Sequence, residues 1–423
     1  MSGTAPAESA SRGVEVRFPA NFLWGTATAA HQVEGDNVHS DWWEYEQDGR
    51  LPHRSGAACD HYHRYAQDFD LARSLHQNAH RLSLEWSRIE PRPGQWDEAA
   101  IEHYAAVLAA LHSRNIEPLV TLHHFTLPAW FLRQGGWLHD DAIALFARYV
   151  TQVAERLGER VRYWLTINEP TVYIKQAFVS GRWPPCRRGA WGAAHRALRS
   201  LCRAHTAAYD ILHARHPQAR VGFAHSAPHV APRNPYHPHD RLVAALRDQV
   251  LNHHCFRLLG RPAARALDFI GLNYYTRQLV RGAWRGSEPL LGRECLDTTD
   301  PSRSFNDLGW EIHPDGLTAV LRRFSEYGLP LIVTENGIAT DDEAQRSRFL
   351  AEHLRALGAA VRSGLDVRGY FYWSLIDNFE WAEGFEPHFG LAAVAQPSLA
   401  RVPRPAAHQF AAICARGSVF VPE

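Results

Sequence analysis

The amino-acid sequence predicts an α/β protein, a single closed (β/α)8 barrel, and three observations carry that expectation. Eight short β-rich runs alternate with amphipathic helical stretches along most of the 423 residues. Several of the runs are apolar without alternation, as in Leu331-Ile332-Val333 and Phe269-Ile270-Gly271-Leu272, the pattern of parallel strands covered on both faces. No Pro/Gly/Ser-rich linker, repeat or abrupt change of composition divides the chain, so a length that could hold two or three domains is read as one.

Taken in order, residues 1–15 are small and polar and are expected to form a disordered lead-in, with the barrel over 16–423. Strands are expected at 22–29, 79–85, 117–123, 162–168, 220–225, 267–274, 331–335 and 367–374. The helices between them show regular stripes. After Asp140 as N-cap, Ile143, Phe146, Val150, Val153 and Leu157 share one face, and Gly158 ends the run. After Pro314, the stripe is Leu317, Val320, Leu321 and Phe324, stopped by Gly328. Asp341 opens a third helix, carrying Phe349, Leu350, Leu354, Leu357 and Val361 to Gly364.

Composition removes whole classes of function. Lys+Arg and Asp+Glu are both 45, so the chain has no net charge and no global electrostatic hold on nucleic acid or an anionic membrane. Lys175 is the single lysine; no Gly-Lys-Ser or Gly-Lys-Thr exists to cradle phosphates, and Schiff-base chemistry would have to use Lys175 alone. The six cysteines are scattered, as expected of reduced thiols in the cytoplasm. No apolar signal core or membrane-spanning run is visible, so a cytoplasmic chain is expected.

In such a barrel, polar residues at the C-terminal strand ends face the mouth. Glu169 closes the fourth run, Trp164-Leu165-Thr166-Ile167-Asn168, and Glu335 ends the seventh, Ile332-Val333-Thr334. Either alone could cap a helix or pair with an arginine. Two of them, on strands facing each other across the top, point to paired acid–base chemistry of the kind that cleaves glycosidic bonds. Carboxyl groups ~5–5.5 Å apart imply retention of anomeric configuration and ~6.5–9.5 Å implies inversion; the sequence leaves both open. Fourteen Trp, fourteen Tyr and nineteen Phe suit a sugar site, with Trp24, Trp86, Trp130, Trp373 and Trp381 near strand ends.

These residues also carry a resemblance. Phe22-Leu23-Trp24-Gly25-Thr26-Ala27 through Glu34-Gly35, Arg81 through Pro91, Thr121-Leu122-His123-His124-Phe125, Thr166-Ile167-Asn168-Glu169-Pro170, Asn273-Tyr274-Tyr275, Thr334-Glu335-Asn336-Gly337 and Trp373 through Trp381 stand in one order over residues 17–415. The chain resembles the family 1 glycoside hydrolases, the retaining β-glucosidase family. The resemblance implies Glu335 as nucleophile and Glu169 as acid/base, with Arg81 and Tyr275 holding Glu335. It implies that Asn168 meets the sugar 2-hydroxyl and that Gln32, His124, Glu380 and Trp381 read the other hydroxyls. Trp373 and Phe389 would form apolar walls, and Asn273 would sit beside the aglycone side. Both carboxylates are Glu, unlike the plant thioglucosidases, and Glu380-Trp381 is similar to members acting on unphosphorylated sugars. Implied substrates are aryl and alkyl β-glucosides and cello-oligosaccharides, with β-galactosides and β-fucosides also accepted. No cofactor or metal is implied, and homo-oligomerisation is left open.

Three departures stand out: a short connection from Cys255 to Asp268, a short loop after Glu169 through Pro185, and His123 where an aromatic or small residue is usual. The first two predict an open rim on the aglycone side unless residues 281–304, with Trp284, fold over it. Two rival readings remain. A metal-dependent barrel hydrolase would use histidines such as His76 and His80, or His61, His63, His253 and His254, but no H-E-x-x-H or paired Asp/Cys framework accompanies them. A non-catalytic sugar-binding barrel would more simply have lost one glutamate. No Gly-x-Ser-x-Gly supports a serine hydrolase.

Overall fold

A computed structural model describes residues 13–282, 291–295 and 300–422. Eight strands form a closed barrel: β1 Leu23–Ala27, β2 Ala79–Ser83, β3 Glu117–Thr121, β4 Tyr163–Asn168, β5 Arg220–Ser226, β6 Ile270–Asn273, β7 Leu331–Asn336 and β8 Val367–Trp373. Every neighbouring pair is parallel, with β8 beside β1. The expected runs find the strands but overshoot several of their ends, by two residues at the C-terminal ends of the first three. Thr28, Leu84 and Leu122 still donate to the carbonyls of Arg81, Thr121 and Leu165, so the chain leaves the ladder extended and keeps strand-like composition without strand pairing.

One long helix follows each strand: α1 His61–Ser74, α2 Glu98–His112, α3 Ala142–Leu157, α4 Trp191–Arg215, α5 Pro238–Asp248, α6 Pro314–Ser325, α7 Glu343–Arg362 and α8 Pro405–Arg416. Two caps lie one residue later than expected. Asp141, not Asp140, precedes α3. Asp342 caps α7 by accepting from the amides of Ala344 and Gln345, because Asp341 is taken up by His388 at 2.6 Å.

The core has two layers, set by strand alternation. Ile332 points into the barrel with Leu23, Leu119, Leu165, Phe269 and Phe371, whereas Leu331 and Val333 point outward to meet helix residues such as Leu317 and Leu354. Three of the five singled-out tryptophans, Trp24, Trp86 and Trp130, belong to the outer layer and not to the mouth. Trp24 packs on Phe22 and Phe410, and Trp86 on Tyr149.

Gly13–Arg17 pairs antiparallel with Ser418–Pro422, so the boundary expected after residue 15 falls inside a strand. Beyond β5 and β6, His229–Pro232, Arg277–Arg281 and Arg293–Glu294 form a small sheet, and Ser304–Phe305 pairs with Glu311–Ile312. Trp284 lies outside the described residues. Among those described, no helix is long and apolar enough to cross a membrane.

Candidate active site

Glu169 directly follows β4 and sits in the left-handed region, φ +42°. A non-glycine residue there costs of order 1 kcal/mol or more and persists only where its surroundings enforce it. Here its amide donates to Ala224 O at 2.8 Å and its carbonyl accepts from Val172 and Tyr173. Glu335 lies within β7 and not after it. Gly337 lets the chain turn there, since a Cβ would stand 1.9 Å from Trp373 O on β8. β5 and β6 separate the two glutamates' strands, which therefore stand three steps apart around the eight-stranded ring, one short of diametrically opposite. What joins them is a side chain of β6.

That side chain is Asn273. Its Nδ2 donates to Glu169 Oε1 at 3.0 Å and to Asn168 Oδ1 at 3.2 Å, and the same amide is among the groups that lower the Glu335 pKa. Thr334 Oγ1 donates to Asn273 Oδ1 at 2.6 Å, fixing which end of the amide faces the carboxylates. The resemblance put Asn273 beside the aglycone side; its position between the carboxylates follows from β6 register, where it pairs with Glu335.

Glu335 is clamped from two sides. Arg81 Nη1 donates to Oε1, and Tyr275 Oη donates to Oε2 at 2.5 Å. Arg81 is itself held by Asn168 Oδ1 at 2.6 Å, Thr334 O at 3.2 Å and Thr121 Oγ1 at 3.2 Å. Burial raises the Glu335 pKa overall, with Arg81 and the Tyr275 hydroxyl opposing it. Glu169 is buried with much weaker compensation: burial first and the Glu335 charge second push it up to about 8. Glu380 is pushed up to about 8 for the same two reasons.

The remaining expected residues gather on one side of this pair. Gln32 Nε2 lies 2.9 Å from Phe379 O, 3.0 Å from Asn378 Oδ1 and 3.2 Å from Glu380 Oε2, while its Oε1 is buried without a partner. His124 is held neutral by burial and the Arg81 charge, so Nε2 accepts from Asn168 Nδ2 at 3.2 Å and Nδ1 is a buried donor without a partner. The His124 ring lies near-parallel to both Trp373 and Trp381, centroids 6.0 and 6.1 Å away. Phe389 packs 6.2 Å from Tyr275.

The sequence reading did not single out Trp310, which sits 5.5 Å from Tyr275 and 6.2 Å from Phe389. A lone tryptophan in a loop carries no periodic signal. His123 is buried with both ring nitrogens unpartnered, its pKa pushed down to about 3 by burial. Among the described residues, no three His, Cys, Asp or Glu side chains are grouped as metal ligands.

Fold and site together define a (β/α)8-barrel glycosidase, two buried glutamates at the mouth of a TIM barrel lined with indoles and amides. The chain belongs to glycosyl hydrolase family 1, whose family model matches residues 14–261 and 262–418. It is 33% identical over 449 residues to thermostable beta-glucosidase B of Thermobispora bispora, covering 96% of this chain and 92% of that one. It is 30% identical over 490 residues to a beta-galactosidase of Pyrococcus woesei, covering 92% and 94%. Among solved structures, a beta-glycosidase from Pyrococcus horikoshii matches with a TM-score of 0.89 and 39% identity over 96% of both chains.

Proposed function

We propose that the protein is a retaining exo-β-glycosidase that removes terminal nonreducing β-D-glucosyl residues and also accepts β-galactosides and β-fucosides. One observation carries the reading: two buried glutamates flank Asn273, and only one of them has a cation and a phenol to stabilise its anion. Glu335 faces a guanidinium and a phenol that stabilise its anion, whereas Glu169 is pushed up to about 8 and keeps its proton at neutral pH. Membership of glycosyl hydrolase family 1 supports retention, with the carboxyls ~5–5.5 Å apart, over the wider ~6.5–9.5 Å spacing of inversion.

In the first step Glu335 attacks the anomeric carbon, the glycosidic bond breaks, and the Glu169 proton passes to the leaving oxygen. In the second, Glu169 takes a proton from water, the hydroxide attacks the same carbon, and Glu335 leaves as a carboxylate. Asn168, bonded to Arg81 and His124, would meet the 2-hydroxyl. Gln32 Oε1 and His124 Nδ1 are buried polar atoms whose missing partners cost ~1–3 kcal/mol each; sugar hydroxyls would supply them. Trp373 and Phe389 would flank the ring, with Glu380 and Trp381 reading its far hydroxyls.

The names of the relatives, a beta-glucosidase and a beta-galactosidase, support the substrate range. Aryl and alkyl glucosides and cello-oligosaccharides are the substrates to try. Six unpaired cysteines favour a cytoplasmic site of action, and the described residues are read as one catalytic domain. The test is covalent trapping: a 2-deoxy-2-fluoro glucoside with an activated leaving group should label Glu335, seen by peptide mass spectrometry. A label on any other carboxylate would overturn the assignment.

A further inference from the structure

Trp381 does not hold its orientation unaided. Its φ is +52°, a region L-residues rarely adopt, and its indole is buried. Trp42, Trp183 and Phe125 surround it at 4.8, 5.6 and 5.2 Å with tilted or edge-on rings. Two rings lie near-parallel to the indole, His124 at 12° and 6.1 Å and His31 at 10° and 5.7 Å, and His31 is tethered at both nitrogens. Nε2 is 3.1 Å from Glu46 Oε1, and Nδ1 is 3.1 Å from Asn37 Nδ2. Glu46 Oε2 in turn accepts from Ser55 N at 2.9 Å and Ser55 Oγ at 2.8 Å. His31, Asn37, Glu46 and Ser55 are all buried. His31 also adjoins Gln32, whose carbonyl accepts from Phe379 N at 3.1 Å. One short helix, Ala30–Val33, therefore grips the 379–381 segment by backbone, side chain and ring face.

We propose that His31 and Glu46 are a positioning pair that fixes the plane of Trp381 and thereby sets discrimination between sugars differing in one hydroxyl. The inference rests on the reading that Trp381 contacts the glycone. A hydroxyl reader displaced by a fraction of an ångström loses selectivity before it loses turnover, because the carboxylate pair is held separately by Arg81, Asn273 and Tyr275.

The test compares kcat/KM for 4-nitrophenyl β-glucoside and β-galactoside in His31→Phe, Glu46→Gln and Ser55→Ala, with Trp381→Phe as reference. His31→Phe keeps a ring and removes both tethers; Glu46→Gln keeps shape; Ser55→Ala removes one hydrogen bond and is the mildest. The expected result is a glucoside-to-galactoside ratio moved by about three- to tenfold in the first two variants and less in Ser55→Ala, always in the direction Trp381→Phe moves it. A merely structural role would lower both substrates by one factor and leave the ratio fixed. If Trp381→Phe moves the ratio and the three other variants do not, the positioning role is overturned while the site reading stands. If Trp381→Phe leaves the ratio unchanged, the glycone assignment of Trp381 fails, and this inference with it.

Discussion

Replacing Tyr275 with Phe removes one oxygen and tests how Glu335 is kept ionised. The phenol donates to Glu335 Oε2 at 2.5 Å inside a buried pocket, while Arg81 holds the other oxygen and is untouched by the change. A hydrogen bond to a charged group contributes about 1.5–3 kcal/mol. One pKa unit corresponds to about 1.4 kcal/mol, so losing the bond should raise the Glu335 pKa by about one to two units. The sign follows from the charge: the phenol stabilises the anion, and without it the proton stays on to higher pH. Glu335 must be ionised to attack, so the acid limb of kcat/KM should move upward by that amount. The basic limb, set by Glu169, should move far less. The assay is kcat/KM for phenyl β-glucoside, whose leaving group needs the Glu169 proton, across pH 4–9 in wild type and Tyr275→Phe, at fixed ionic strength. An acid limb that stays in place would show that Arg81 alone keeps Glu335 ionised and would refute the reasoning.

Glu335→Gln should lower kcat by on the order of 10⁴-fold or more, since the covalent route disappears; residual turnover within tenfold of wild type would contradict it. Glu169→Ala should slow poor leaving groups far more than dinitrophenol, and azide should restore turnover of the activated substrate; equal loss across leaving groups without azide rescue would remove Glu169 from the role. Because Glu169 must be protonated for the first step and is pushed up to about 8, activity should fall as pH rises through that value, and Glu169→Gln should erase this limb with an activated substrate. The short connection between Cys255 and Asp268 should leave the aglycone rim tolerant, so cellobiose, longer cello-oligosaccharides and flavonoid β-glucosides should share similar kcat/KM; a steep preference for one small aglycone would contradict it.

The barrel was legible because its strands are buried on both faces and read as apolar runs, and because stripes such as Leu317, Val320, Leu321 and Phe324 leave no other helix face. What the sequence hid is where a strand stops pairing while its chain stays extended, as at Thr28, Leu84 and Leu122. Also hidden was which face an indole takes: Trp24 and Trp373 look alike beside a strand, but one packs outward on Phe410 and the other near-parallel to His124. The two glutamates were legible as polar ends of apolar runs. Asn273 as their bridge was not, because that depends on the register between β6 and β7. Trp310 was invisible, being placed by a two-residue strand pairing that periodicity does not detect.

Three carboxyl groups, those of Glu169, Glu335 and Glu380, lie buried near one guanidinium, and that ratio decides the protons. Arg81 makes its charge contact with Glu335. Burial and the Glu335 charge leave the other two pushed up to about 8, so near pH 7 the neutral form of each dominates. The pocket is then close to net neutral: one anion on one cation, with two carboxylic acids able to donate hydrogen bonds. A neutral pocket suits a neutral sugar. A glycone bearing a carboxylate or phosphate would have to displace Glu335 from Arg81 or stay uncompensated in a buried site, at a cost of several kcal/mol. The same arithmetic explains why Glu169 can change roles. Its proton is held by burial first and by the Glu335 charge second. In the proposed mechanism, esterification of Glu335 by the sugar would remove that like charge and lower the Glu169 pKa, burial still opposing ionisation, so that the proton given to the leaving group would be less strongly drawn back.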